Sequence, residues 1–173
     1  KLAAYRLMSE EAADAVCAAL GVRERCTTHE VPLPGGEAKY DVMDAARRYG
    51  WPVWAVERLA SRHGTRAELV LRLAKDNPGG RRMLCDCEGV TEAEVRFVVR
   101  EEWARSLGDV ARRTRLGLGP CAGQRCARAA AEIVVEERGM DAWAAGDLVR
   151  GFSREFSFIN SQLSTEAQAE KLK

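Results

Sequence analysis

Four cysteines carry the residue pattern most suggestive of chemistry: Cys85 and Cys87 in the run CDC, and Cys121 and Cys126 in the run CAGQRC. The thiolate is the metal-binding form of cysteine, and a set of four suits either a structural zinc ion or an iron-sulfur cluster. Each pair precedes a stretch patterned as a helix, where free backbone N–H groups and the positive end of the helix dipole favour loss of the thiol proton. Gly117, Gly119 and Gly123 crowd the second pair. Glycine lets backbone approach inorganic sulfide closely, and four merely buried cysteines would not call for such crowding. A CxC pair strains a zinc knuckle, because one intervening residue must splay two sulfurs around a single ion. A two-iron, two-sulfide cluster has more than one metal ion to offer those sulfurs. Such a cluster is anionic and becomes more so on reduction, so compensating cations are expected. Arg112, Arg113, Arg115, Arg125 and Arg128 lie close by in sequence. The competing reading of these arginines is a solvated helix face, since adjacent residues cannot both point at one site.

The remaining candidates are weaker. Cys17 falls beside a helical apolar stripe and reads as a small buried hydrophobe. Cys26 and His29 are three residues apart in a loop with no second ligand pair near them. His63 precedes a glycine, as a helix C-terminal residue favourable to the dipole would. Neither histidine is near the cysteines in sequence, so a nucleophilic thiol lacks a visible base.

The chain has 173 residues, 46% hydrophobic and 31% charged, with a formal net charge of +1. That composition excludes disorder of the whole chain, and the charge balance offers no global attraction to nucleic acid or an anionic membrane. No apolar run approaches the roughly 20 residues of a transmembrane segment, and no tripartite signal peptide is visible. The expected compartment is cytoplasmic, where six cysteines point to a metal or redox site rather than to disulfides.

The elements that must position the thiols read as helices. Residues 3–20 place Leu7, Ala12, Ala15, Val16, Ala19 and Leu20 at three- and four-residue steps before Gly21. A loop with paired prolines and glycines follows. Residues 40–74 divide into three short helices, stopped by Gly50 and Gly64, with Pro52 in a first turn and Thr65 and Glu68 spaced as a capping box. Trp51, Trp54, Val56, Leu59, Leu69, Val70, Leu71 and Leu73 are their expected core. The break at Asp76–Gly80 predicts a boundary. Beyond it, Thr91 with Glu94 and Ser106 with Asp109 open helices, an alanine-rich helix runs from about Gln124 to Arg138, and Asp141–Phe152 buries Trp143, Leu148 and Phe152. The tail from Ser153 to Lys173 is polar and weakly periodic. No strand and no internal repeat is expected.

These residues resemble a known family. CDCEGVTEAEV, followed after a helix by SLGDVARRTRLGLGPCAGQRC, is similar to the BFD-type 2Fe-2S domain, in the version fused to the C-terminus of the large subunit of anaerobic FAD-dependent glycerol-3-phosphate dehydrogenases. The related bacterioferritin-associated ferredoxin closes with CxxC, so CxxxxC disfavours bacterioferritin docking. KLAAYRLMSEEAADAVCAALG, CTTHEVPLPGG and the AARRYG and ERLASRHGTRAELVL helices resemble the helical domain that follows the flavin fold in the same dehydrogenases. The resemblance implies an all-α architecture: a helical accessory domain over 1–77, a compact BFD-like domain over 81–140, and a terminal helix and tail over 141–173. It implies that Cys85, Cys87, Cys121 and Cys126 bind a 2Fe-2S cluster, with zinc as the alternative metal. It also makes Lys1 the counterpart of a lysine near the substrate phosphate, although Ala3 and Ala4 replace the family's threonines. No GxGxxG strand-helix unit occurs in the sequence, so FAD is expected only in the full-length enzyme and this polypeptide is not expected to be catalytic alone. The implied partners are the N-terminal FAD domain and membrane-associated electron-transfer subunits, which would make the enzyme peripheral to the inner membrane; neither nucleic acid nor a transmembrane segment is expected.

Overall fold

The computed structural model describes residues 2–24 and 26–156. A single 3-10 turn, Leu2–Ala4, leads into α1, Tyr5–Ala19. After the proline-glycine loop come α2, Val42–Tyr49, α3, Val53–His63, and α4, Ala67–Asp76. Their ends follow local chemistry. The carboxylate of Asp41 accepts the backbone N–H of Asp44 and caps α2, while Gly50 ends it in a left-handed conformation. Pro52 sits immediately before α3, where its missing N–H costs no helical bond. The spacing of Thr65 and Glu68 does not become a capping box, because residues 64–66 form a 3-10 turn and both side chains are engaged elsewhere. The Thr65 hydroxyl donates to Glu37 at 2.7 Å. Glu68 instead accepts from the Tyr40 and Tyr49 hydroxyls at 2.7 and 2.6 Å and from two guanidinium nitrogens of Arg48 at 3.0 Å.

Two short antiparallel strands follow, β1, Met83–Cys85, and β2, Val90–Thr91. No strand was expected here, since two and three residues are too few for an alternating pattern to register. They close a hairpin whose turn contains Cys87 and whose last residue of β1 is Cys85. Thr91 then caps α5, Glu92–Glu101, accepting from the backbone N–H of Glu94. Ser106 and Asp109 make a full capping box on α6, Leu107–Thr114. An irregular segment carries Cys121 and leads to Cys126, the residue immediately before α7, Ala127–Arg138. Residues 144–156 form a final helix.

Helix α5 is the axis of the fold. Every residue from Glu92 to Val99 is buried, which is possible only because α4 lies on one side and α6 and α7 on others. Its charged residues are buried in pairs. Arg96 bonds Glu92 at 2.8 and 3.0 Å, Glu136 at 2.8 Å, and Glu137. Glu94 accepts from Arg62 at 2.6 and 2.8 Å and faces His63 Nε2 at 2.9 Å. One connected set of buried side chains runs from Ala45 to Phe152.

Several expected core positions differ. Trp51, Val56, Leu59, Val70 and Leu71 are buried as expected. Trp54 and Leu69 are instead exposed, and Trp143 is 89% exposed while Phe152 is buried. Trp143 falls in the turn before the final helix begins, so the helical spacing that would have turned it inward does not reach it. In α1 no side chain is buried: Tyr5, Met8 and Val16 remain exposed, and Cys17 is half-buried rather than a core residue.

Candidate metal centre

The hairpin and the N-terminal approach to α7 bring the thiols together crosswise in two pairs. Cys87 pairs with Cys121, their sulfurs 3.8 Å apart, and Cys85 lies beside Cys126. All four are free thiols. Cys85 and Cys126 are buried, at 2% and 1% exposure, whereas Cys87 and Cys121 are half-buried, so the centre has an inner and an outer pair.

Local backbone sets this arrangement. Between α6 and α7 the chain passes through left-handed conformations at Arg115, Gly117, Ala122 and Gly123. A side chain at Gly117 or Gly123 would run into the ring of Phe152, which the final helix lays over the segment. Gly119 faces Cys87 instead, and a β-carbon there would overlap the Cys87 β-carbon. The glycine crowding thus has two causes, packing under Phe152 and close approach to one thiol.

The electrostatics differ between the two pairs. The Cys126 thiol beside it pulls Cys85 down to about 5, with help from the backbone N–H groups of Gly117, Glu88 and Cys87 and against its own burial. Cys126 is pushed up, first by Cys85 and then by burial. Cys121 is held below the ordinary thiol range, chiefly by the backbone N–H of Arg125, with the Arg125 guanidinium and the backbone of Gly123 contributing.

Of the five nearby arginines, Arg125 touches sulfur: its guanidinium lies 3.5 Å from Cys87 Sγ and 4.0 Å from the Asp86 carboxylate. Arg115 reaches Glu88, next to Cys87, at 2.9 Å. Arg112 is bound to Glu155 and Asp109, Arg113 to Asp109 and Glu102, and Arg128 to Glu132. The solvated-face reading describes most of them.

Two thiolates bound to one tetrahedral ion at about 2.3 Å stand about 3.8 Å apart, so the outer pair has the spacing that shared ligation requires. Among the described residues, no group of three or more His, Cys, Asp or Glu side chains is gathered as a single ion would need. The donor set fits a metal centre pair by pair.

Cys26 is bound to the Thr28 hydroxyl at 3.1 Å and His29 to Glu30 at 3.1 Å, and neither joins the cysteine centre. His63 is buried between Glu94 and Phe97, more enclosed than a dipole-facing C-terminal histidine would be. Lys1 lies outside the described residues. The clasp formed by Arg62, His63 and Glu94 escaped sequence reasoning, although Glu94 shares a helix face with Phe97 and Val98, and a carboxylate on an apolar face demands a buried cation.

Comparison with known proteins gives a consistent picture. The family model for the C-terminal domain of alpha-glycerophosphate oxidase matches residues 26–145. The A subunit of the anaerobic glycerol-3-phosphate dehydrogenase of Haemophilus influenzae is 39% identical over 135 residues, 78% of this chain and 23% of that protein. Its counterpart in Escherichia coli K12 is 38% identical over 134 residues, 78% of this chain and 24% of that protein. The A1 subunit of the Haloferax volcanii enzyme is 35% identical over 137 residues, 79% of this chain and 22% of that protein. The chain thus spans about a quarter of the length of the curated relatives it matches. No solved structure matches significantly.

Proposed function

This chain belongs to the family of the C-terminal domain of alpha-glycerophosphate oxidase, and from that premise we propose that it serves a glycerol-3-phosphate dehydrogenase as a BFD-like module in which Cys85, Cys87, Cys121 and Cys126 hold a 2Fe-2S cluster. The crosswise pairing of the thiols carries this reading. A two-iron centre takes two thiolates on each iron, and the chain presents an inner pair and an outer pair, each made of one cysteine from the hairpin and one from the approach to α7. A single zinc ion would instead need all four sulfurs about one point.

When bound, the cluster supplies one-electron transfer. The chain's own residues do the rest. The hairpin and α7 fix the ligands on elements anchored in the core. The inner pair is buried away from water, while the half-buried outer pair leaves its side open to an electron partner. Thiolate is the ligand form of cysteine, so metal loading is coupled to proton release from the thiols.

Substrate oxidation belongs, in this proposal, to an FAD domain of the full-length enzyme, with electrons passing toward membrane-associated subunits. The relatives are named as subunits, which is in keeping with such partners, and no helix among the described residues is long and apolar enough to cross a membrane. Lys1 is the proposed approach to the substrate phosphate. Iron and acid-labile sulfide measured on anaerobically prepared protein test the central claim: two of each per chain, with visible absorption, is expected. A colourless protein with one zinc per chain and no sulfide would replace the cluster with a docking module stapled by zinc.

A further inference from the structure

The outer pair of thiols is half-buried, and one cation stands over it. Arg125 lies between Cys121 and Cys126 in sequence, and its guanidinium reaches back to Cys87 Sγ at 3.5 Å. The backbone N–H of the same residue bonds Cys121, so Arg125 addresses both outer sulfurs with two different groups. The inner pair has no guanidinium contact of this kind among the contacts of the described residues; it is buried, and backbone N–H groups serve Cys85. Arg128, one turn further along, is turned to Glu132 at 2.8 Å and away from sulfur.

We propose that Arg125 is a positioning and tuning residue for the redox centre: its guanidinium, held against Cys87, favours the reduced state and directs the incoming electron to the metal ion ligated by Cys87 and Cys121. The inference rests on the cluster reading above. Reduction by one electron makes and breaks no bond; it places an additional negative charge on the centre, and the iron whose sulfurs face a cation and solvent accepts that charge at least cost. A guanidinium at the outer sulfurs gains from that charge, while one bound to a distant carboxylate does not. Asp86, 4.0 Å from the same guanidinium, opposes the effect and limits its size.

The test uses the 173-residue chain loaded anaerobically with iron and sulfide and titrated with dithionite as the electron donor. Arg125→Gln should shift the one-electron reduction equilibrium about threefold toward the oxidised form, a modest effect because the side chain is 65% exposed and screened by salt. Arg125→Lys should recover part of the shift, and Arg128→Gln, which removes the same charge one turn away, should leave the potential unchanged. Arg125→His supplies a second reading: its potential should rise as pH falls through the histidine range near pH 6.5, where the side chain gains charge, beyond any pH dependence of the parent protein. Potentials for Arg125→Gln and Arg125→His that match the parent, with iron and sulfide retained, would overturn the inference and leave the cluster reading intact. Loss of iron from both variants while Arg128→Gln retains it would also overturn it, making Arg125 a structural support of the ligand loop. A parent chain that takes up no iron and sulfide would instead overturn the cluster reading itself.

Discussion

The four thiols are not equivalent, and single substitutions should separate them from the other cysteines. Replacing Cys121 with serine removes one outer thiol, a ligand of the proposed cluster, and should abolish most of the iron and visible absorption that such a cluster gives, with a loss of stability because metal-binding free energy is also folding free energy. Cys17→Ser should retain both, since Cys17 is half-buried on α1 and far from the centre in sequence. Equal iron content in the two variants would refute the ligand assignment. Gly119→Ala tests the site through shape rather than ligation. Its new methyl would meet Cys87, so the variant should lose about 1–3 kcal/mol by overpacking and release iron more readily, read from chemical denaturation and iron content together. The spacing of the cysteines was legible in the sequence because it is local. Their crosswise partners were not, because which thiol meets which depends on how a two-strand hairpin, too short to leave a pattern, faces the approach to α7.

Between elements, the clasp of Glu94 with Arg62 and His63 ties α3 to α5 and so ties the upstream helices to the helix that follows the cysteine hairpin. Glu94→Ala leaves a buried guanidinium without its counter-charge, at a cost on the order of 3–5 kcal/mol in a urea unfolding curve. Ser106→Ala, which removes only a helix cap, should cost about 1 kcal/mol by the same measurement. A Glu94 variant no worse than the cap variant would show that the clasp adds little. The caps at Thr91 and Ser106 were visible in the sequence because each uses residues three apart in one segment. Thr65 and Glu68, whose spacing is equally suitable, misled because partners distant in sequence claimed them first. Glu68 also makes the fold sensitive to acid. The guanidinium of Arg48, aided by the Tyr49 and Tyr40 hydroxyls and opposed by desolvation, holds the Glu68 carboxyl down to about 2. A carboxylate depressed on folding stabilises the folded state above its ordinary range, near pH 4.5, and that contribution disappears as pH falls toward 2. Glu68→Gln should therefore flatten the stability profile between those limits and destabilise the protein at neutral pH. An unchanged acid limb would mean that other carboxylates govern it.

At the scale of the whole molecule, the buried side chains on either side of the Asn77–Gly80 turn belong to one connected set, with α4 against α5 across the turn and α7 and Phe152 closing the far side. The composition break there is real as sequence, since proline and glycine follow the end of α4, but composition registers only where a helix stops and not what its neighbours touch. For the same reason periodicity located α1 correctly and could not tell that its stripe would remain uncovered among the described residues. A shared core has a thermodynamic consequence. Loss of packing around α5 exposes both halves together, so unfolding should be a single cooperative transition, coincident by tryptophan fluorescence, far-ultraviolet circular dichroism and, in loaded protein, visible absorption. Removing the proposed cluster from loaded protein should lower the fluorescence and circular dichroism midpoints together, because ligand binding to the native state stabilises everything that unfolds with it. The fluorescence arm is informative for the upstream helices, because Trp51 is buried there and Trp54 lies exposed beside it. Two separated transitions, with tryptophan fluorescence changing while absorption persists, would show that the helices before Asn77 and the cysteine unit fold independently despite their common core.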